Sequence, residues 1–203
     1  MKERFESLLG ACPLIAILRG ITAAEVPSVC DVLFQSGVRL LEIPLNSPAP
    51  YESIAAAVRH CGTRMMAGAG TVLTPEEAEK VHEAGGGFII SPNTFAPVIR
   101  RTKELGMLSM PGFFTASEGF DALRAGADYL KLFPAILGPG YVRDLKAVIK
   151  APIFAVGGVN AGNLGDFLKV CRGAGIGSAL YKPGKSLEDL ARDAAELVRI
   201  AGQ

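Results

Sequence analysis

Eight short apolar runs recur along the chain, separated by longer segments with helical patterning. This alternation narrows the fold more than any other feature. The runs are Leu14–Leu18, Val38–Ile43, Met65–Gly70, Phe88–Ser91, Met107–Met110, Tyr129–Phe133, Ile153–Val156 and Ile176–Leu180. Each has the ordinary length of a strand. Several are apolar almost throughout, the pattern of strands covered on both faces.

The intervening segments carry helix signals. Thr22 followed by Glu25 has capping-box spacing and predicts a helix over Ala23–Ser36, with Gly37 as its stop. Thr74-Pro75 with Glu77 opens another, running to about Ala84. Pro50–His60, Ala96–Leu105, Ser117–Ala125, Tyr141–Ile149, Asn163–Arg172 and Leu187–Ile200 complete the set, the last preceded by the Ser186/Asp189 cap spacing. Met1–Cys12 precedes the first strand. It is expected to be a helix that closes the barrel bottom or packs alongside it.

Strand–helix units running in one direction have few stable arrangements, because each crossover is right-handed and each amphipathic helix must cover the sheet. Eight of them fit a closed TIM (β/α)8 barrel, an α/β fold spanning residues 1–203 as a single domain with an N-terminal helix. The alternative is an open doubly wound sheet. A dinucleotide fingerprint would favour that, but the first run is followed by Arg19-Gly20-Ile21-Thr22, with no GxGxxG.

Composition excludes several classes. At 49% hydrophobic and 20% charged, the 203 residues are not those of a disordered chain. Lys+Arg total 21 against 20 Asp+Glu, so no nucleic-acid partner is indicated. Met1–Gly10 lacks the apolar core of a signal peptide, and no run is long enough for a membrane span. A cytoplasmic protein with no membrane partner is expected. Cys12, Cys30, Cys61 and Cys171 form no CxxC pair, and the two histidines, His60 and His82, read as structural or solvated. No metal site is expected, and the thiols read as reduced core cysteines.

If the chain is a barrel, its chemistry belongs at the C-terminal ends of the strands. Lys131 stands inside Tyr129–Phe133, where an ammonium is costly to desolvate. Either its stem snorkels out at the strand end, or its amine is depressed by burial and becomes a nucleophile toward carbonyls. Glu42, within Leu40-Leu41-Glu42-Ile43, either pairs with an arginine or is a proton shuttle with a raised pKa. Arg19 could neutralise Glu42 or clamp a substrate carboxylate. Thr71 ends Gly68-Ala69-Gly70-Thr71 as a turn residue or as a hydrogen-bond donor to a carboxylate. Two glycine clusters, Val156-Gly157-Gly158-Val159-Asn160 and Gly173-Ala174-Gly175-Ile176-Gly177-Ser178, are assigned to the loops after the last two strands. Barrels commonly hold phosphate there with bare backbone N–H groups. Lys182 and Lys185 lie nearby as surface charges.

Taken together, Leu18-Arg19-Gly20, Glu42-Ile43-Pro44-Leu45-Asn46-Ser47, Gly68-Ala69-Gly70-Thr71-Val72, Ser91-Pro92-Asn93, Pro111-Gly112, Lys131-Leu132-Phe133-Pro134-Ala135 and Gly157-Gly158-Val159 resemble the 2-keto-3-deoxy-6-phosphogluconate (KDPG/KHG) aldolase family. Asn46-Ser47-Pro48 is similar to the branch acting on the phosphogalactonate epimer; the gluconate branch usually carries Arg-Thr there. The resemblance implies a metal-independent, cofactor-free class I aldolase on a TIM barrel, forming a homotrimer. Its substrate would be a phosphorylated keto-acid, split into pyruvate and D-glyceraldehyde 3-phosphate in galactonate catabolism. It also implies Lys131 as the Schiff-base lysine and Glu42 as the general acid/base. Arg19 and Thr71 would sit at the pyruvyl carboxylate, Gly157, Gly158, Gly177 and Ser178 at the phosphate, and Pro92 and Phe133 in the pocket wall. A phosphate-barrel isomerase would share the glycine loops but has no use for an imine-forming lysine. A sugar-phosphate binding protein would bind without turnover.

Overall fold

The computed structural model of the protein describes residues 1–202. Strands β1 (Leu14–Ile17), β2 (Leu40–Pro44), β3 (Met66–Gly70), β4 (Phe88–Ile90), β5 (Leu108–Met110), β6 (Gly112–Phe113), β7 (Leu130–Leu132), β8 (Ile153–Val156) and β9 (Gly173–Ile176) form one sheet, parallel at every pairing. Their order is β5-β4-β3-β2-β1-β9-β8-β7-β6, which puts β5 and β6 at opposite edges. Pro111 alone separates those two segments. They are therefore halves of one strand, and the sheet closes as an eight-stranded barrel. Proline has no N–H to give the ladder, which splits the strand; the Pro111 carbonyl still accepts from Lys131 N at 2.9 Å.

Helices α1 (Lys2–Ala11), α2 (Val26–Gln35), α3 (Pro50–Cys61), α4 (Pro75–Glu83), α5 (Ala96–Glu104), α6 (Ala116–Arg124), α7 (Gly138–Val148), α8 (Leu164–Leu168) and α9 (Leu187–Ala201) complete the fold. Strand side chains alternate between faces. Ala16, Leu41, Ala67, Ile89, Leu130 and Ala155 point outward and share a core with the helices. Ile15, Leu40, Met66, Phe88, Tyr129 and Phe154 point inward and pack with Phe5 and Leu9 of α1. Helix α1 thus closes the N-terminal end of the barrel, as its position before the first strand allows. The Phe5 ring lies 5.0 Å from Tyr129 and 5.4 Å from Phe88. Arg4 Nη2 donates to Gly62 O and Met65 O, and Glu6 accepts from the Tyr129 hydroxyl and from Arg172. With this end sealed, the open end is the one where the strands finish.

Four elements differ from the reading of the sequence by three residues or more; one is α7, which begins at Gly138 rather than Tyr141. The last strand is Gly173–Ile176 rather than Ile176–Leu180. Its glycines hide it from a propensity argument, yet packing requires them: a Cβ on Gly173 would lie 2.6 Å from the Phe154 ring, and one on Gly175 2.9 Å from Val156. The earlier strand also shortens α8, expected over Asn163–Arg172, because Arg172 N already donates to Ile153 O at 2.8 Å. Helix α2 begins at Val26, not Ala23. Pro27 can donate nothing to the Ala23 carbonyl, so the regular helix starts where proline falls in its first turn. Glu25 still reaches back to Thr22 N at 2.9 Å. Thr74 and Glu77 form the expected reciprocal capping box, and Thr115 with Glu118 forms a second one that opens α6.

Candidate active site

Inward-facing alternation places Glu42 on β2 and Lys131 on β7 above the apolar layer that α1 seals. Glu42 is 2% exposed and Lys131 6%. Both line a pocket of about 550 Å³ at the C-terminal mouth of the barrel. Arg19, Thr71, Pro92 and Phe133 line it too, as do Gly157, Gly158, Gly177 and Ser178. All ten residues singled out from the sequence therefore meet in one cavity.

The two ionisable groups at its base are mutually tuned. Burial pushes the Glu42 carboxyl up to about 7, against the pull of the nearby positive charges of Lys131 and Arg19. Glu42 Oε2 is buried and has no hydrogen-bond partner among the described residues. Burial lowers the Lys131 amine below the ordinary lysine value; Glu42 opposes this shift and Arg19 adds to it. Lys131 Nζ sits 4.5 Å from the centre of the Phe133 ring. The snorkelling alternative for Lys131 and the arginine-paired alternative for Glu42 are both set aside by this geometry. The carboxylate has space only because β3 carries glycine opposite it: a Cβ on Gly70 would fall 1.5 Å from Glu42 Oε2.

The rim is built from loops. Thr71 has φ 57, a left-handed conformation uncommon outside glycine, and its N donates to Ile90 O at 2.9 Å. Gly157 and Gly158 follow β8 with φ 87 and 82. That backbone favours glycine, and it leaves the amides without side chains to cover them. Asn160 and Asn163 donate to Gly158 O at 3.2 and 3.0 Å and hold this loop in place. Of the second glycine cluster, Gly173–Ile176 is strand; Gly177 and Ser178 alone fall in the loop. Lys185 is tied to Asp193 and to Leu180 O, outside the pocket.

Sequence reasoning did not mark Ile17, Val156, Tyr181 or Lys182 as site residues, although they line the same cavity. Strand parity could have indicated the first two, which share a face with Ile15 and Phe154. Tyr181 and Lys182 arrive through the path of the loop after β9, which no local pattern encodes. Among the described residues no helix is long and apolar enough to cross a membrane.

Comparison with known proteins places this geometry in a family. The model for KDPG and KHG aldolases matches residues 5–198. The 2-dehydro-3-deoxy-6-phosphogalactonate aldolase of Escherichia coli (strain K12) is 46% identical over 191 residues, covering 92% of this chain and 93% of the relative. The KHG/KDPG aldolase of the same organism is 30% identical over 208 residues, covering 96% of each chain. A solved "Native KDPGal structure" superposes with a TM-score of 0.90 at 45% identity, covering 93% of both chains. The match runs through every strand of the barrel and through the loops that frame the buried lysine and glutamate, and the chain belongs to the KDPG and KHG aldolase family.

Proposed function

We propose that this chain is a class I aldolase that cleaves 2-dehydro-3-deoxy-6-phosphogalactonate to pyruvate and D-glyceraldehyde 3-phosphate. The observation that carries the reading is a buried amine and a buried carboxyl, each shifted toward neutrality, opening into one pocket rimmed by glycine loops. The relatives at 46% and 44% identity bear names of the phosphogalactonate enzyme, while those named for the gluconate substrate stand at 30% or below.

Lys131 attacks the C2 carbonyl, and loss of water leaves a protonated imine. That imine is the electron sink for breaking the C3–C4 bond. Glu42 takes the proton of the C4 hydroxyl, directly or through a water, as the bond breaks and the aldehyde departs. Protonation of the enamine at C3 and hydrolysis of the imine release pyruvate and restore the amine. Near neutral pH Glu42 has both forms available, which suits a group that must accept and return protons. Arg19 and Thr71 hold the pyruvyl carboxylate. The backbone at Gly157, Gly158, Gly177 and Ser178 holds the phosphate, and Pro92 and Phe133 form the wall. Phosphate binding far from C2 orients the reacting carbon.

We further propose a cytoplasmic homotrimer. Exposed Leu73, Phe95, Phe120, Ile136 and Leu137 lie after successive strands from β3 to β7. A relative at 45% identity forms part of a cage built from symmetric oligomeric domains. These observations support an apolar contact around that side of the barrel.

Borohydride reduction in the presence of pyruvate, followed by peptide mass spectrometry, tests the chemistry. A reduced pyruvyl adduct on Lys131 is expected, and Lys131→Ala should remain folded with no adduct and no turnover. Wild-type kcat in that variant would overturn the assignment. A kcat/KM for the galactonate epimer no greater than for the gluconate epimer would overturn the substrate.

A further inference from the structure

We propose that Asn46 and Ser47 are positioning residues for Arg19, holding its guanidinium at the pocket mouth as an un-neutralised clamp for the pyruvyl carboxylate. The inference rests on the aldolase reading of the site and deepens it.

The β1–β2 ladder aligns Ile17 with Glu42, and Leu18 N donates to Glu42 O at 2.9 Å. Past that point the β1–β2 ladder ends, and side chains continue the connection. Gly20 N donates to Ser47 Oγ at 2.9 Å, and Arg19 Nη1 donates to Asn46 Oδ1 at 2.6 Å. Ser47 is buried, and its own N donates to Pro44 O at 2.9 Å, so the loop after β2 is a fixed support. Arg19 itself is exposed. Among the described residues Asn46 Oδ1 is the only hydrogen-bond acceptor its guanidinium has. Without it, a long side chain at the barrel rim would sample many rotamers.

The chemistry of the anchor matters as much as its position. The amide oxygen of Asn46 accepts one N–H from Arg19 and carries no charge, leaving the guanidinium fully positive with donors to spare. A carboxylate in the same place would form an ion pair and compete with the substrate carboxylate for the same donors. Asn46 is therefore suited to aim the cation without neutralising it. Asn46 does not line the pocket, so its influence on the ligand passes through Arg19.

The test is pyruvate C3-proton exchange followed by NMR, with borohydride trapping on the same proteins. Asn46→Ala should raise the pyruvate KM about tenfold, the worth of one charge-assisted hydrogen bond used for positioning, with exchange kcat within about threefold. Asn46→Asp should raise KM further than Asn46→Ala, because the aspartate neutralises the clamp. In an Arg19→Ala background, adding Asn46→Ala should change nothing. Independent, multiplying effects of the two alanine variants would overturn the inference, as would an Asn46→Asp enzyme that binds pyruvate as well as Asn46→Ala. If wild-type protein fails to trap pyruvate on Lys131, the aldolase reading itself falls and the clamp with it. Trapping in the wild type with multiplying variants removes the inference alone.

Discussion

Glu42 sits where a carboxyl loses most of its hydration, and its proton becomes a reporter for both chemistry and stability. Its ordinary value is 4.5 and burial raises it to about 7. The native state therefore keeps a proton over a range in which the unfolded chain has released it. Stability drawn from this group is complete below about 4.5, falls as pH rises toward 7, and is level above. The cost is at most about 3 kcal/mol. Glu42→Gln has no such titration. In urea unfolding, the variant should gain on the wild type between pH 5 and pH 7.5; a stability difference independent of pH would contradict the raised carboxyl. The same variant should slow pyruvate proton exchange by at least about 100-fold, the usual contribution of a positioned acid/base. Exchange at the wild-type rate, measured by NMR, would remove Glu42 from the mechanism.

At its inward-facing glycines, strand β3 contributes space rather than side chains. Gly68 faces the Phe88 ring, where a Cβ would lie 2.5 Å away, and Gly70 faces the Glu42 carboxylate. Gly70→Ala should therefore displace Glu42 Oε2 and depress exchange by a factor approaching that of Glu42→Gln. Titration of the displaced carboxyl should move down from 7 as it regains water; an unchanged pH profile would show that Glu42 had not moved. Helix α4 shows the opposite kind of element, one specified by its own ends. Thr74→Ala removes the capping box and should cost about 1 kcal/mol in denaturant unfolding, with KM unaffected.

Across the whole barrel, stability and chemistry occupy opposite ends. Phe5 and Leu9 fill the N-terminal end, while the pocket lies at the other. Phe5→Ala should lose roughly 3–5 kcal/mol of stability, the cost of emptying an aromatic site in a close-packed interior. Enzyme that remains folded should keep its pyruvate KM, since Phe5 is not among the residues that line the pocket. A tenfold rise in that KM would show that the two ends are coupled. In sedimentation velocity the native protein should run as three chains, and Leu137→Asp should shift it toward one.

The order of strands and helices was legible because each strand must be apolar on both faces, and each helix announces its start with a cap, a proline or an acid. Lys131 and Glu42 were legible for the converse reason: a charge within such a strand has no inexpensive structural explanation. The bounds of β9 and α8 were not, because Gly173 and Gly175 serve neighbours distant in sequence and weaken the local strand signal. The split of the fifth strand at Pro111 likewise needed the partner strands on either side. The shifts of Lys131 and Glu42 were not legible either, since pKa is set by burial and by charges that converge only when β1, β2 and β7 curve into one barrel. The aim of Arg19 belongs to that level as well. Its anchor lies 27 residues away along the chain, brought within 2.6 Å by the pairing of two strands that neither residue belongs to.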